Sequence, residues 1–250
     1  MLHRFLQKCV FGALMLMALS ACATSGIVSK DSISKQADAQ WNEILKTVPQ
    51  VQNADVTRAV AGLTQSILIA ANEDPSQWQV AVFDGPETFN AFALPNKRIG
   101  IFSGLLATVE NADQLAAVIG HEIAHVRLNH VEARVNRAVA PNILIGVAKL
   151  PGAVSGVPVL EATGNVVGGV LSAGTVLPYN RSQEVDADTA GATYAFKAGY
   201  DPHEAVTLWR HMDEATKKAG TSTPEFLSTH PSNERRIKSL ETVAKSLTGK

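Results

Sequence analysis

The sequence is poor in cysteine: it has two in 250 residues, Cys9 and Cys22, and none after them. The remainder can form neither an intrachain disulfide nor a thiolate metal site. Any metal held there must use imidazole and carboxylate. An excess of positive charge is also missing. Taking Arg4 and Lys8 from the 22 basic residues leaves 20 against 23 acidic ones, and nothing in that balance points to nucleic acid. No apolar run of about 20 residues follows Cys22, so attachment to a membrane would have to rest on a lipid. There is no internal repeat. The roughly 228 residues after Cys22 suit one domain with a sizeable core, residues 50–250, preceded by a lipidated N-terminus and tether over 22–49.

The first 21 residues read as a signal peptide. Arg4 and Lys8 make a positive start, and Val10 to Leu19 is apolar but too short for a stable span. The run ends Leu19-Ser20-Ala21-Cys22, which resembles a bacterial lipobox, with cleavage before Cys22 and acylation of its thiol. The alternative is an ordinary signal cut near Ala21 or Ala23. Ala23 after the cysteine, rather than Asp, resembles the sorting class that faces the periplasm from the outer membrane. Residues 23–38 are small and polar and are expected to be a tether.

Downstream, Asp55 is placed to cap a helix running to about Asn72, with Val56, Val60, Leu63, Ile67 and Ala71 on one face. Trp78 to Phe83 alternates as a strand does. Phe89 to Leu94 and Arg98 to Phe102 read as two more strands around a Pro95-Asn96-Lys97 turn. Further helices are expected from Ala112 to about Asn136, from Ser182 to Ala198 with Gly199 closing it, from Asp201-Pro202 to near Gly220, and from about Pro231 to Val243 or beyond. Residues 139–179 form an apolar insertion whose only charges are Lys149 and Glu161. It reads either as two short buried helices joined by a loop or as an apolar lid or membrane-facing patch. The resulting class is α+β, mainly helical.

Chemistry is concentrated in His121-Glu122-Ile123-Ala124-His125. Two imidazoles four apart on a helix lie about 40° apart around the axis and about 6 Å along it, so both can reach one metal ion. Glu122 falls beside that ion, where a general base for an attacking water belongs. Asn111 to Gln114 reads as a capping box, and Leu115, Val118, Ile119, Ile123 and Val126 recur at helical spacing, so the histidines sit near an apolar stripe and need a partner there. A third ligand close in sequence is absent: the metzincin pattern requires Gly at 128 and His at 131, where this chain has Leu128 and Val131. Glu184-Val185-Asp186-Ala187-Asp188 supplies candidates. Glu184 and Asp188 share a helix face, so Glu184 can bind zinc while Asp188 holds the far nitrogen of a ligand histidine. A solvated acidic face is the alternative.

Four segments together resemble the gluzincin metallopeptidases that include HtpX, the CAAX prenyl endopeptidases and the periplasmic BepA and LoiP, with the lipobox pointing to the small lipoprotein branch. They are Asn90-Ala91-Phe92-Ala93-Leu94-Pro95, Gly120 to His125, Arg181 to Asp188, and Ser228-Thr229-His230-Pro231 followed by Arg236-Ile237. The resemblance spans about residues 50–245 and implies a zincin-like domain with a small β-sheet edge before the active-site helix. It implies one zinc ion held by His121, His125 and Glu184, Glu122 as base and Asp188 as the acid behind a ligand. It also implies His230 beside the metal, as oxyanion partner or as occupant of the open position in a latent state, and Arg236 as support for the cleft. Asn90, Ala91, Phe92 and Ala93 would form an edge on which a substrate peptide pairs as an added strand. The expected activity is a lipid-anchored zinc endopeptidase acting on unfolded or misfolded envelope polypeptides. The expected alternative is a latent protease that mainly holds clients. The family often has Gly-Gly after the Pro; this chain has Asn96-Lys97. His130, His203 and His211 read as structural, His130 because five residues of helix carry it about 140° away from His125.

Overall fold

A computed structural model describes residues 28–137, 179–219, 225–231 and 233–249. The signal peptide, Cys22 and nearly all of the 139–179 insertion lie outside these residues. Among the described residues no helix is long and apolar enough to cross a membrane.

The first helix, α1, runs over Lys30–Thr47, where a tether was expected. Its stripe is one residue wide: Ile33, Ala37 and Trp41, four apart, are buried while their neighbours are polar. So narrow a stripe leaves the composition of a linker. Ser29 caps it through the Ser32 N–H, and the Trp41 indole donates to Gln79 Oε1 at 2.9 Å. Helix α2 spans Ala54–Ala70, with Asn53 rather than Asp55 as its cap. Val60, Leu63 and Ile67 form its buried face, as the spacing predicts.

Strands β1 (Gln79–Phe83), β2 (Ala91–Leu94) and β3 (Arg98–Phe102) form a sheet of order β1-β3-β2. β1 runs parallel to β3 and β2 antiparallel to it. Side chains alternate between two cores, the period of two that pleating imposes. Val80, Val82, Ala91, Ala93, Ile99 and Ile101 face the main core. Ala81, Phe83, Phe92, Leu94 and Phe102 face α1 in a second, smaller core. The β2–β3 turn closes through the Lys97 N–H to Leu94 O at 3.0 Å. Lys97 sits at φ 64°, the left-handed region that favours glycine. Its Nζ is held by Glu73 at 2.9 Å and Gln77 at 2.7 Å.

A short α3 (Ser103–Thr108) leads to α4, Ala112–Arg127. Asn111 caps α4 through the Gln114 N–H, but the Gln114 side chain accepts from Glu110 N–H rather than closing the box on Asn111. Residues Gln114 to Val126 are all buried, so α4 is the central helix of the domain. It stops nine residues short of the expected Asn136. Asn129 adopts φ 55°, a left-handed conformation that Asn tolerates, and helix resumes in a new direction over 130–137, α5. Helix α6 (Arg181–Lys197) opens with a full capping box between Asn180 and Gln183. It packs on α4 at two glycines: a Cβ on Gly191 would meet His121 N at 2.6 Å, and one on Gly120 would meet Gly191 O at 2.7 Å. Helices α7 (His203–Ala219), α8 (Glu225–Thr229) and α9 (Glu234–Thr248) complete the fold. The last begins at Asn233 as cap, two residues beyond the expected Pro231.

Candidate metal centre

Because α4 is buried on all sides, its two histidines have no water to turn to. His121 is 2% exposed and His125 is fully buried. Their Nε2 atoms lie 3.0 Å apart, as a four-residue spacing on one helix face allows. The close crossing of α6 brings Glu184 to the same point: Oε1 is 3.4 Å from His125 Nε2 and Oε2 is 3.6 Å from His121 Nε2. One turn further along α6, Asp188 Oδ1 lies 2.9 Å from His121 Nδ1, behind the first histidine. The end of α8 adds His230, whose Nδ1 is 3.1 Å from His121 Nε2 and 3.2 Å from Glu184 Oε1.

Arg236, at the start of α9, is the largest fully buried side chain among the described residues. It donates two hydrogen bonds to Asp188, at 2.7 and 2.8 Å, and its Nη1 is 2.6 Å from Glu184 Oε2. The same nitrogen donates to the backbone oxygens of His230 and Pro231, both at 3.1 Å, and the guanidinium stacks on Trp209 at 3.8 Å. One cation thus neutralises both carboxylates and ties α6 to the loop carrying His230. Tyr179 covers the opposite side, stacked on His125 with ring centroids 3.8 Å apart. Phe226 stacks on His230 at 4.6 Å.

Charges here differ in kind. Burial alone would raise the Glu184 carboxyl, but His230, Arg236 and His125 outweigh it and hold the group well below its ordinary value. Asp188 is likewise held low, burial being overcome by Arg236 and His121. Burial works against a charge on His121, yet Asp188 and Glu184 win and raise it. His125 lacks a carboxylate behind it, and burial drives its value well down. Glu122 is raised, first by burial, despite nearby histidines and a hydrogen bond from the Ala93 backbone. Its Oε1 is buried without a hydrogen bond, 3.4 Å from His230 Nε2.

The donor set fits a metal ion. His121, His125, Glu184 and His230 offer four ligand atoms within 4.8 Å of one another, all buried. Tetrahedral ligands bound at about 2.0–2.1 Å stand about 3.4 Å apart, close to the separations found here. In the metal-free protein these contacts can be met only where a ring N–H donates; where two lone pairs face each other, a cation between them removes the repulsion.

Among the edge residues, Ala91 and Ala93 differ from their neighbours. The register pairs Phe92 with Gly100, and Asn90 O accepts from Phe102 N–H, so the backbones of residues 90, 92 and 94 bond inward to β3. Ala91 and Ala93 therefore present theirs outward, and the Ala93 N–H is taken by Glu122. The Phe92 ring lies in the second core, against Trp41, Phe83 and Phe102, away from the metal site. Asn90 is buried, with Oδ1 unpartnered. His203 and His211 lie elsewhere, beside Thr248 and Glu110. His130 departs from expectation: the break at Asn129 turns it back so that its Nδ1 is 3.1 Å from His125 Nδ1. It stays outside the four-donor group, as expected, although the helix is broken at Asn129 rather than continuous. Tyr179 carried no motif in the sequence and went unnoticed.

A buried helix with two histidines and a glutamate, a carboxylate from a second helix and a short sheet edge alongside define the metallopeptidases of the zincin type. The sequence model of peptidase family M48 matches residues 50–244, and the chain belongs to that family. It is similar to the mitochondrial metalloendopeptidase OMA1 of Schizosaccharomyces pombe, 32% identical over 86% of this chain and 61% of that protein. It is also similar to human OMA1, 32% identical over 70% of this chain and 34% of that protein. The beta-barrel assembly-enhancing protease of Escherichia coli is 25% identical over 81% of this chain and 42% of its own length. The chain thus spans under two thirds of each of these relatives. OMA1 and the beta-barrel assembly-enhancing protease are thus among its relatives, while a finer placement beside HtpX and LoiP rests on the sequence motifs alone.

Proposed function

We propose that this protein is a zinc metalloendopeptidase. The observation that carries the reading is the four-donor cluster with a buried, hydrogen-bond-poor Glu122 beside it. When bound, zinc supplies Lewis acidity to the scissile carbonyl and acidifies water. Glu122, its pKa raised by burial, takes the proton from the attacking water and returns it to the leaving amine nitrogen. Ala93 N–H holds that carboxylate in place. The free N–H and C=O of Ala91 and the C=O of Ala93 remain for an extended substrate backbone, which selects unfolded chains over a particular sequence. Asp188 fixes the His121 tautomer, and Arg236 fixes Asp188.

The proposed setting is the periplasmic face of a bacterial outer membrane, reached through a lipid on Cys22, with misfolded envelope polypeptides as clients. The lipobox-like Leu19 to Cys22 and the pairing edge support this. Intact mass of membrane-extracted protein tests the anchor.

A second reading has its own observation. His230 Nδ1 already stands among the ligand atoms, so it can fill the fourth position and leave a latent, client-holding protein. The deciding experiment is cleavage of an unfolded model protein by zinc-loaded wild type, Glu122→Gln and His230→Ala. Cleavage lost only in Glu122→Gln supports the peptidase with a permissive His230. Cleavage that rises in His230→Ala supports latency, and falling cleavage supports an oxyanion partner. No cleavage by any of the three sinks the peptidase reading.

A further inference from the structure

We infer that His130 is a positioning residue for the metal site, holding His125 in the one tautomer that can bind a cation. The inference rests on the reading of the four-donor cluster as a metal site. His125 Nε2 faces that cluster, 3.0 Å from His121 Nε2 and 3.4 Å from Glu184 Oε1. For the Nε2 lone pair to bind a cation, the ring proton must sit on Nδ1. The only ring partner at hydrogen-bond distance from that Nδ1 among the described residues is His130 Nδ1, at 3.1 Å. His130 must therefore accept there and carry its own proton on Nε2. The two ligand histidines are thus held by different chemistry: His121 by the Asp188 carboxylate, His125 by a second imidazole.

The backbone is arranged for this contact. Helix α4 ends at Arg127 with Leu128 as its C-cap, Asn129 turns left-handed at φ 55°, and His130 at the start of α5 comes back against His125. Gln183 then pins it. Its Nε2 donates to His130 O at 3.3 Å, while its Oε1 accepts from Asn180 N–H in the α6 cap. Since Gln183 immediately precedes Glu184, the same cap sets the third ligand and the orienting imidazole together. His130 is 7% exposed, so water does not compete for the contact.

The test is zinc affinity of the full-length chain, by competition with a chelator, for wild type, His130→Ala and His130→Asn. Asparagine Oδ1 can stand where histidine Nδ1 stands and accept the same hydrogen bond. Loss of an orienting partner typically weakens metal binding about 10–100-fold. That loss is expected for His130→Ala, with most of it recovered in His130→Asn, while the unfolding free energy of the two metal-free variants stays alike. Zinc affinity of His130→Ala within twofold of wild type would overturn the inference, as would equal losses in both variants. Imidazole nitrogen NMR of zinc-loaded wild type needs no variant: His130 protonated on Nε2 supports the assignment, and protonation on Nδ1 overturns it. A wild-type chain that bound no zinc would bring down the reading of the site as well, which separates the two failures.

Discussion

Glu122 and Asp188 are both buried carboxylates near a metal site, and their surroundings push them in opposite directions. Glu122→Gln should retain zinc but cut cleavage by at least about 100-fold, the scale of a lost general base. In the metal-free protein the same substitution should raise stability at neutral pH. A carboxyl whose folded pKa is raised loses stability as pH climbs past its unfolded value, near 4.3. The gain should therefore vanish below about pH 4, which thermal melts at pH 4 and 7 would reveal. Asp188 and Glu184 behave conversely. Asp188, held low by Arg236, and Glu184, held low by His230 and Arg236, contribute fully above about pH 4.5 and lose that contribution as acid protonates them. Melts of metal-free Arg236→Leu should be lower than wild type at pH 7 and approach it toward pH 3; a constant gap would exclude this coupling. The meeting of His121, His125 and Glu184 was legible in the sequence, since two histidines four apart on a buried helix need a partner. Arg236 and His230 emerged only through resemblance, because a single Arg or His-Pro carries no periodic signal. His130 lies outside the donor group as expected, but its contact with His125 was not foreseeable, because the one-residue reversal at Asn129 leaves the apolar pattern unchanged.

At the scale of elements, two backbone features set the geometry. The α4–α6 crossing depends on Gly191, where a Cβ would lie 2.6 Å from His121 N. Gly191→Ala should cost about 1–3 kcal/mol from overpacking and weaken zinc binding, by moving Glu184 and Asp188 off His121. A calorimetric melt and a chelator titration read the two effects; an unchanged zinc affinity would show that the crossing is slack. In the β2–β3 turn, Lys97 bears left-handed strain that its contacts with Glu73 and Gln77 offset. Lys97→Gly and Lys97→Ala lose the same contacts, so glycine should be the more stable by about 1 kcal/mol in urea denaturation. Whereas α1, α3 and α8 were not expected, helices α2 and α4 and the three strands were foreseeable from their apolar periods. The ends were not, since capping turned on single side chains such as Asn53 and Asn233 rather than on the first plausible acid or proline.

For the whole molecule, α1 changes the expected outline of the domain. Trp41 packs edge-on to Phe83 and Phe92, with ring centroids 5.9 and 6.4 Å away, and is 3% exposed. Trp41→Ala should therefore cost about 3–5 kcal/mol, measured by denaturant unfolding, although it precedes the 50–244 segment matched by the family. A cost under about 1 kcal/mol would mean that α1 is an ornament. Its position also sets a working radius. With the proposed acyl group on Cys22, a tether to residue 49 would let the domain range roughly 90 Å from the lipid. Because the domain is already helical at Lys30, the leash from such an anchor would be at most roughly 30 Å. A protease so anchored would not patrol a compartment: its clients would have to come to the membrane, and proximity to that surface would become part of its specificity.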